Sequence, residues 1–148
     1  VTKLLLSIHV LAAILAIGPV AVAASMFPAA VRNASEPGTL RTLHRICRVY
    51  AAIGIVVPVF GLATASSLGV LGDAWLIVSI ALTAIAAAVL ILLILPRQTS
   101  LLTAVDDPKA VDDPKAPARL GMYTGIFNLL WATVTVLMIV RPGSTTGA

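Results

Sequence analysis

The stretch Val49–Pro96, VYAAIGIVVPVFGLATASSLGVLGDAWLIVSIALTAIAAAVLILLILP, holds one charged residue, Asp73, in 48 positions. On either side of Asp73 the apolar run exceeds the roughly 20 residues that a helix needs to cross a ~30 Å hydrocarbon layer. Lipid offers no hydrogen-bond partners, so each run must close its own backbone bonds as a helix. Gly72-Asp73 reads as the turn between them, and Trp75 stands where an indole favours the headgroup boundary. The stretch is expected to form a transmembrane helical hairpin, and the rest of the chain is read around it.

The composition agrees. Of 148 residues, 59% are hydrophobic and only 11% charged, and the mean hydropathy is +1.06. A water-facing surface needs about 25% charged residues, so the class is an integral membrane protein. The net charge is +4 and the sequence pI about 9.9. The basic residues lack the aromatic interleaving of a nucleic-acid surface, so nucleic acid is not expected as a partner. A single cysteine, Cys47, excludes an internal disulfide and Cys-x-x-Cys redox chemistry.

Outward from the hairpin, two further spans complete the set. Residues 4–27 carry no charge between Lys3 and Arg32, and Pro19 should kink that helix. The run is too long for a cleaved leader and reads as a span. Residues 120–140 are uncharged up to Arg141. The expected spans are therefore 4–27, 47–70, 75–95 and 120–140, with Pro96-Arg97 ending the third and loops at 28–46 and 96–119. The second loop contains a hexapeptide duplication, AVDDPK at 104–109 and again at 110–115, and reads as a solvated linker. Its two Asp-Asp pairs, 106–107 and 112–113, do not supply the fixed oxygen set that a hard cation needs. The polar tail, 141–148, is expected to be disordered.

Sidedness follows from the basic residues. Loops 28–46 and 96–119, together with Arg48 at the start of the second span, carry eight Lys and Arg, against Lys3 and Arg141 on the other side. The positive-inside rule then predicts cytoplasmic loops and both termini outside, in a bacterial cytoplasmic membrane. The expected fold is all-α, an antiparallel four-helix transmembrane bundle in one domain.

His9 is the one ionisable group deep within a span, which makes it a candidate ligand for haem or a contact for quinol. The competing and preferred reading is a neutral imidazole that hydrogen-bonds between helices. His9 should lie level with Thr64, Ser79 or Thr83, and Thr135. His44 sits about 25 Å below it at 1.5 Å per residue, so the two histidines cannot clamp one haem within a chain. Arg41, His44, Arg45 and Arg48 recur at i, i+3, i+4 and i+7, one helix face at the cytoplasmic boundary. That face suits anionic lipid headgroups, a partner subunit, or simply topology-setting charge. Asn128, with Thr124, Ala132 and Thr135 at helical spacing, marks an intramembrane polar seam. Gly54, Gly61 and Ala65 form a stripe of small side chains that permits close helix approach.

The opening Leu6-Ser7-Ile8-His9, followed by Val10-Leu11-Ala12-Ala13 and then Gly18, resembles small four-span bacterial integral membrane proteins of unknown function. It is loosely similar to copper-resistance-D-like membrane proteins, and the alanine-rich composition looks actinobacterial. Haem-binding proteins of that general type use histidines from several spans, whereas here His9 stands alone.

No Asp, Glu, Lys or Arg lies deep in a span, and no phosphate loop, zinc spacing or Ser/His/Asp set occurs. The function expected first is therefore a non-catalytic accessory subunit of a larger membrane complex, respiratory or otherwise energy-transducing, with no cofactor. The alternatives are a haem- or quinol-interacting redox protein using His9, and a small homo-oligomeric channel or transporter along Asn128 and Thr135.

Overall fold

A computed structural model describes residues 1–107, 109 and 113–143. Every regular element among them is helical. Four long helices are each apolar and long enough to cross a membrane: α1, Thr2–Arg32; α2, Pro37–Leu68; α3, Ala74–Asp106; and α4, Ala116–Val140. At 1.5 Å per residue the first three measure roughly 46–50 Å, longer than the ~30 Å thickness of a bilayer's apolar layer.

Three of the helices are irregular, and each irregularity lies just ahead of a proline. In α1 the turn Ala13–Ile17 widens to π-helix before Pro19. In α3 the stretch Val89–Ile94 does the same before Pro96. In α2 the helix loosens at Gly54 and Ile55, four and three residues before Pro58. A proline lacks its N–H and its ring pushes against the carbonyl four residues back. A widened turn absorbs that push without ending the helix.

Pro96 therefore does not close the third helix, contrary to the reading from sequence. The helix runs on to Asp106, held by the fully buried Ile94 and Gln98. The first helix likewise passes through Pro28, which is buried, to Arg32. Residues 33–36 separate α1 from α2, and α3 takes in 96–106 of the segment read as a loop. Asp112, in the second Asp-Asp pair, and most of the tail lie outside the described residues.

The turn between α2 and α3 begins earlier than Gly72-Asp73. Gly69 adopts φ +72°, a left-handed conformation that a side chain would oppose. Its N–H donates to Ser66 O and that of Val70 to Ala65 O, satisfying the last carbonyls of α2. Asp73 then takes the position preceding α3, where its carboxylate accepts from Trp75 Nε1 at 3.1 Å.

Two apolar clusters hold the helices together. The larger joins the second half of α1 (Val20, Ala23, Phe27), the first half of α2 (Leu40, Leu43, Cys47), Leu90 and Ile94 of α3, and Leu120 and Phe127 of α4. The smaller, at the other end, unites Ala65, Val70, Trp75 and Leu76, with Met138 against them. The start of α1 packs beside the end of α2, where the Thr2 and Ser67 hydroxyls meet.

Candidate functional site

The densest polar arrangement lies where the first half of α2 meets the end of α3. His44 is turned inward and buried. Its Nδ1 donates to Gln98 Oε1 at 2.8 Å, and the Thr99 hydroxyl stands 3.4 Å from its Nε2. Gln98 Nε2 in turn donates to Cys47 Sγ at 3.5 Å. Gln98 and Cys47 are both wholly buried. A buried amide or imidazole without a partner costs about 1–3 kcal/mol, so this mutual satisfaction fixes the α2–α3 contact.

Over that contact lies a groove of about 570 Å³, lined by Arg41, His44, Arg45, Arg48, Val49, Ala52 and Leu102. The four basic positions singled out by their spacing thus share one concavity. Arg41 forms an ion pair with Asp106, both half-exposed. Among the described residues no carboxylate pairs with Arg45 or Arg48. Nearby, Arg97 stacks its guanidinium over the Tyr123 ring, 4.5 Å from the centroid.

His9 sits elsewhere, against the middle of α2. Its Nδ1 donates to the Val57 carbonyl oxygen at 2.8 Å. The ring lies over Gly61, where an added Cβ would stand 2.9 Å from His9 Cε1. Gly54 meets α1 as well, with the would-be Cβ 3.5 Å from Ile17 Cδ1, and Ala65 is buried. Gly54 and Gly61 of the small-residue stripe therefore face α1, and the imidazole fills the notch that Gly61 leaves, while Ala65 packs with Val70, Trp75 and Leu76.

The expected polar seam is not one network. Thr64, Ser79, Thr83 and Thr135 each donate their hydroxyl to the carbonyl four residues back in their own helix. None hydrogen-bonds to His9. Thr135 is exposed on α4. Within a membrane helix the i−4 carbonyl is the nearest acceptor, and it takes the hydroxyl unless another helix offers better geometry.

Asn128 does reach across: its Nδ2 donates to Ser25 Oγ of α1 at 2.9 Å. Its Oδ1 and the buried Thr124 hydroxyl have no partner among the described residues. Ser25, Gln98 and Thr99 were not apparent as partners from sequence. The available signal for Gln98 was its register: it falls four residues after Ile94 and four before Leu102, on the buried face of α3. Among the described residues no three His, Cys, Asp or Glu side chains gather as a metal site.

Compared with protein-family models, curated proteins and solved structures, the chain matches none. The functional reading therefore rests on the geometry.

Proposed function

We propose that the chain is a non-catalytic accessory subunit of a larger membrane complex, with a respiratory or other energy-transducing assembly as the class to test first. It would be an antiparallel four-span bundle of a bacterial cytoplasmic membrane with both termini outside. The Leu6-Ser7-Ile8-His9 opening and the four-helix layout support placing it beside small bacterial integral membrane proteins of that design.

The observation that carries the reading is where the apolar surface lies. In the most apolar window of each helix no more than 22% of the residues are buried. Leu92, Leu129 and Ile139 stand largely exposed. That surface requires lipid or a neighbouring protein to cover it. On α4, Gly125 has open space where a Cβ would point, one turn from the incompletely satisfied Asn128. A small residue beside a polar group is how a second membrane helix is admitted closely.

The test is native purification from the source membrane in a mild detergent, with mass spectrometry of what remains bound. Recovery in a defined hetero-complex is expected. Recovery alone or as a homo-oligomer overturns the accessory-subunit reading.

One observation favours a second reading, a haem or quinol contact at His9. Because Val57 O can only accept, Nδ1 carries the proton, and a neutral ring then presents Nε2 as a free lone pair. That tautomer suits an axial ligand or a hydrogen-bond acceptor for quinol. This chain would supply only one histidine, since His44 is engaged with Gln98. A visible absorbance band lost in His9→Ala would establish it; a colourless native protein would remove the haem form.

A further inference from the structure

We infer that the Arg41/Arg45/Arg48 groove is a binding site for an anionic phospholipid, the phosphodiester held by the guanidinium groups and the acyl chain laid along Val49 and Ala52. The inference rests on the membrane-spanning reading above. Its ingredients are stacked along one face of α2 in the order that an amphiphile presents them. Arg41, Arg45 and Val49 follow at four-residue steps, as do Arg48 and Ala52. From Arg41 to Ala52 the helix rises about 16 Å. Beyond the groove the exposed side chains are purely apolar, Ile53, Ile55 and Val56.

Charge selects the headgroup. Arg41 shares its charge with Asp106, whereas Arg45 and Arg48 have no carboxylate partner among the described residues. Both are exposed, so neither is spent on holding the fold. A guanidinium offers paired N–H donors that match two phosphate oxygens. Leu102 of α3 closes one side of the groove. The base is rigid because His44, Gln98 and Cys47 satisfy one another beneath it. An acidic peptide would account for the arginines and not for an apolar floor that runs on toward the hydrocarbon.

The experiment uses the full chain. Flotation with liposomes comes first; a chain that fails to insert overturns the membrane reading, and the lipid site with it. The inserted protein is then purified in a maltoside detergent and titrated by native mass spectrometry with phosphatidylglycerol and phosphatidylcholine. Phosphatidylglycerol is expected to bind at least tenfold more tightly. Each exposed guanidinium near an anionic headgroup accounts for about a fivefold change. The double variant Arg45→Gln/Arg48→Gln should therefore lose most of the preference, while Arg45→Lys/Arg48→Lys retains it and Arg119→Gln leaves it unchanged. Equal binding of the two lipids, or an unaltered preference in the Gln variant, overturns the site. Displacement of phosphatidylglycerol by an equal concentration of glycerol phosphate also overturns it, since the headgroup alone would then suffice. Displacement only by an acidic peptide would overturn it in favour of a protein partner.

Discussion

The His9 imidazole lies over the α-carbon of Gly61, so close that a methyl group there would stand 2.9 Å from Cε1. At the same time His9 Nδ1 is bonded to Val57 O one turn earlier. The ring is thus pinned on one side by a hydrogen bond and needs the glycine on the other.

Gly61→Ala should therefore destabilise the protein by about 1–3 kcal/mol through overpacking. His9→Ala removes the group that the new methyl would strike. In the double variant the combined cost should fall below the sum of the single costs by about 0.5–3 kcal/mol. Thermal unfolding of the four proteins in detergent checks this. Strict additivity would show that the two residues are not in contact.

Cys47 is sealed beneath Gln98, so in the folded protein its thiol should react slowly with N-ethylmaleimide. Gln98→Ala leaves His44 Nδ1 without its acceptor and opens a path to Sγ. A loss of about 1–3 kcal/mol in local stability corresponds to a gain in labelling rate of roughly fivefold to 150-fold. An unchanged rate would show that the amide does not guard the thiol.

The Thr124 hydroxyl is buried without a partner among the described residues. Replacing it by valine keeps the shape and removes an unmet polar group. Thr124→Val should be neutral or stabilising, by up to about 1 kcal/mol. A clear drop in unfolding temperature would reveal a bond or bridging water made by that oxygen. Asn128→Leu, which breaks the bond to Ser25, should by contrast cost about 0.6 kcal/mol, the usual size for a polar contact between membrane helices.

Topology is testable with single-cysteine reporters in a Cys47→Ala background. A membrane-impermeant maleimide applied to intact cells should label Gly72→Cys at the α2–α3 turn. It should label Ser35→Cys at the α1–α2 turn only after the membrane is disrupted. The reverse pattern would overturn the orientation inferred from the basic residues.

The helices were legible in the sequence because their cause is local. A run of apolar side chains without charge, as in residues 75–95 or 120–140, leaves the backbone no partner but itself. The basic face of α2 was equally legible, since i, i+3, i+4 and i+7 spacing places Arg41, His44, Arg45 and Arg48 side by side whatever surrounds them. Pro96 misled for a physical reason. Its missing N–H is a local penalty, whereas the wider turn and the buried contacts of Ile94 and Gln98 that offset it involve other helices.

What the sequence determined by itself, then, is four apolar helices, the place of their charges along them and the small-residue stripe at Gly54, Gly61 and Ala65. The tertiary structure decided which polar groups meet. Thr64, Ser79, Thr83 and Thr135 had the composition of a seam, yet each bonds its own helix, and Asn128 alone reaches another. His44 turned inward to Gln98 while its neighbours Arg45 and Arg48 stayed out. A side chain's distance from its own helix is set by chain geometry, but its distance from the next helix depends on rotation and offset of the pair, which only packing settles.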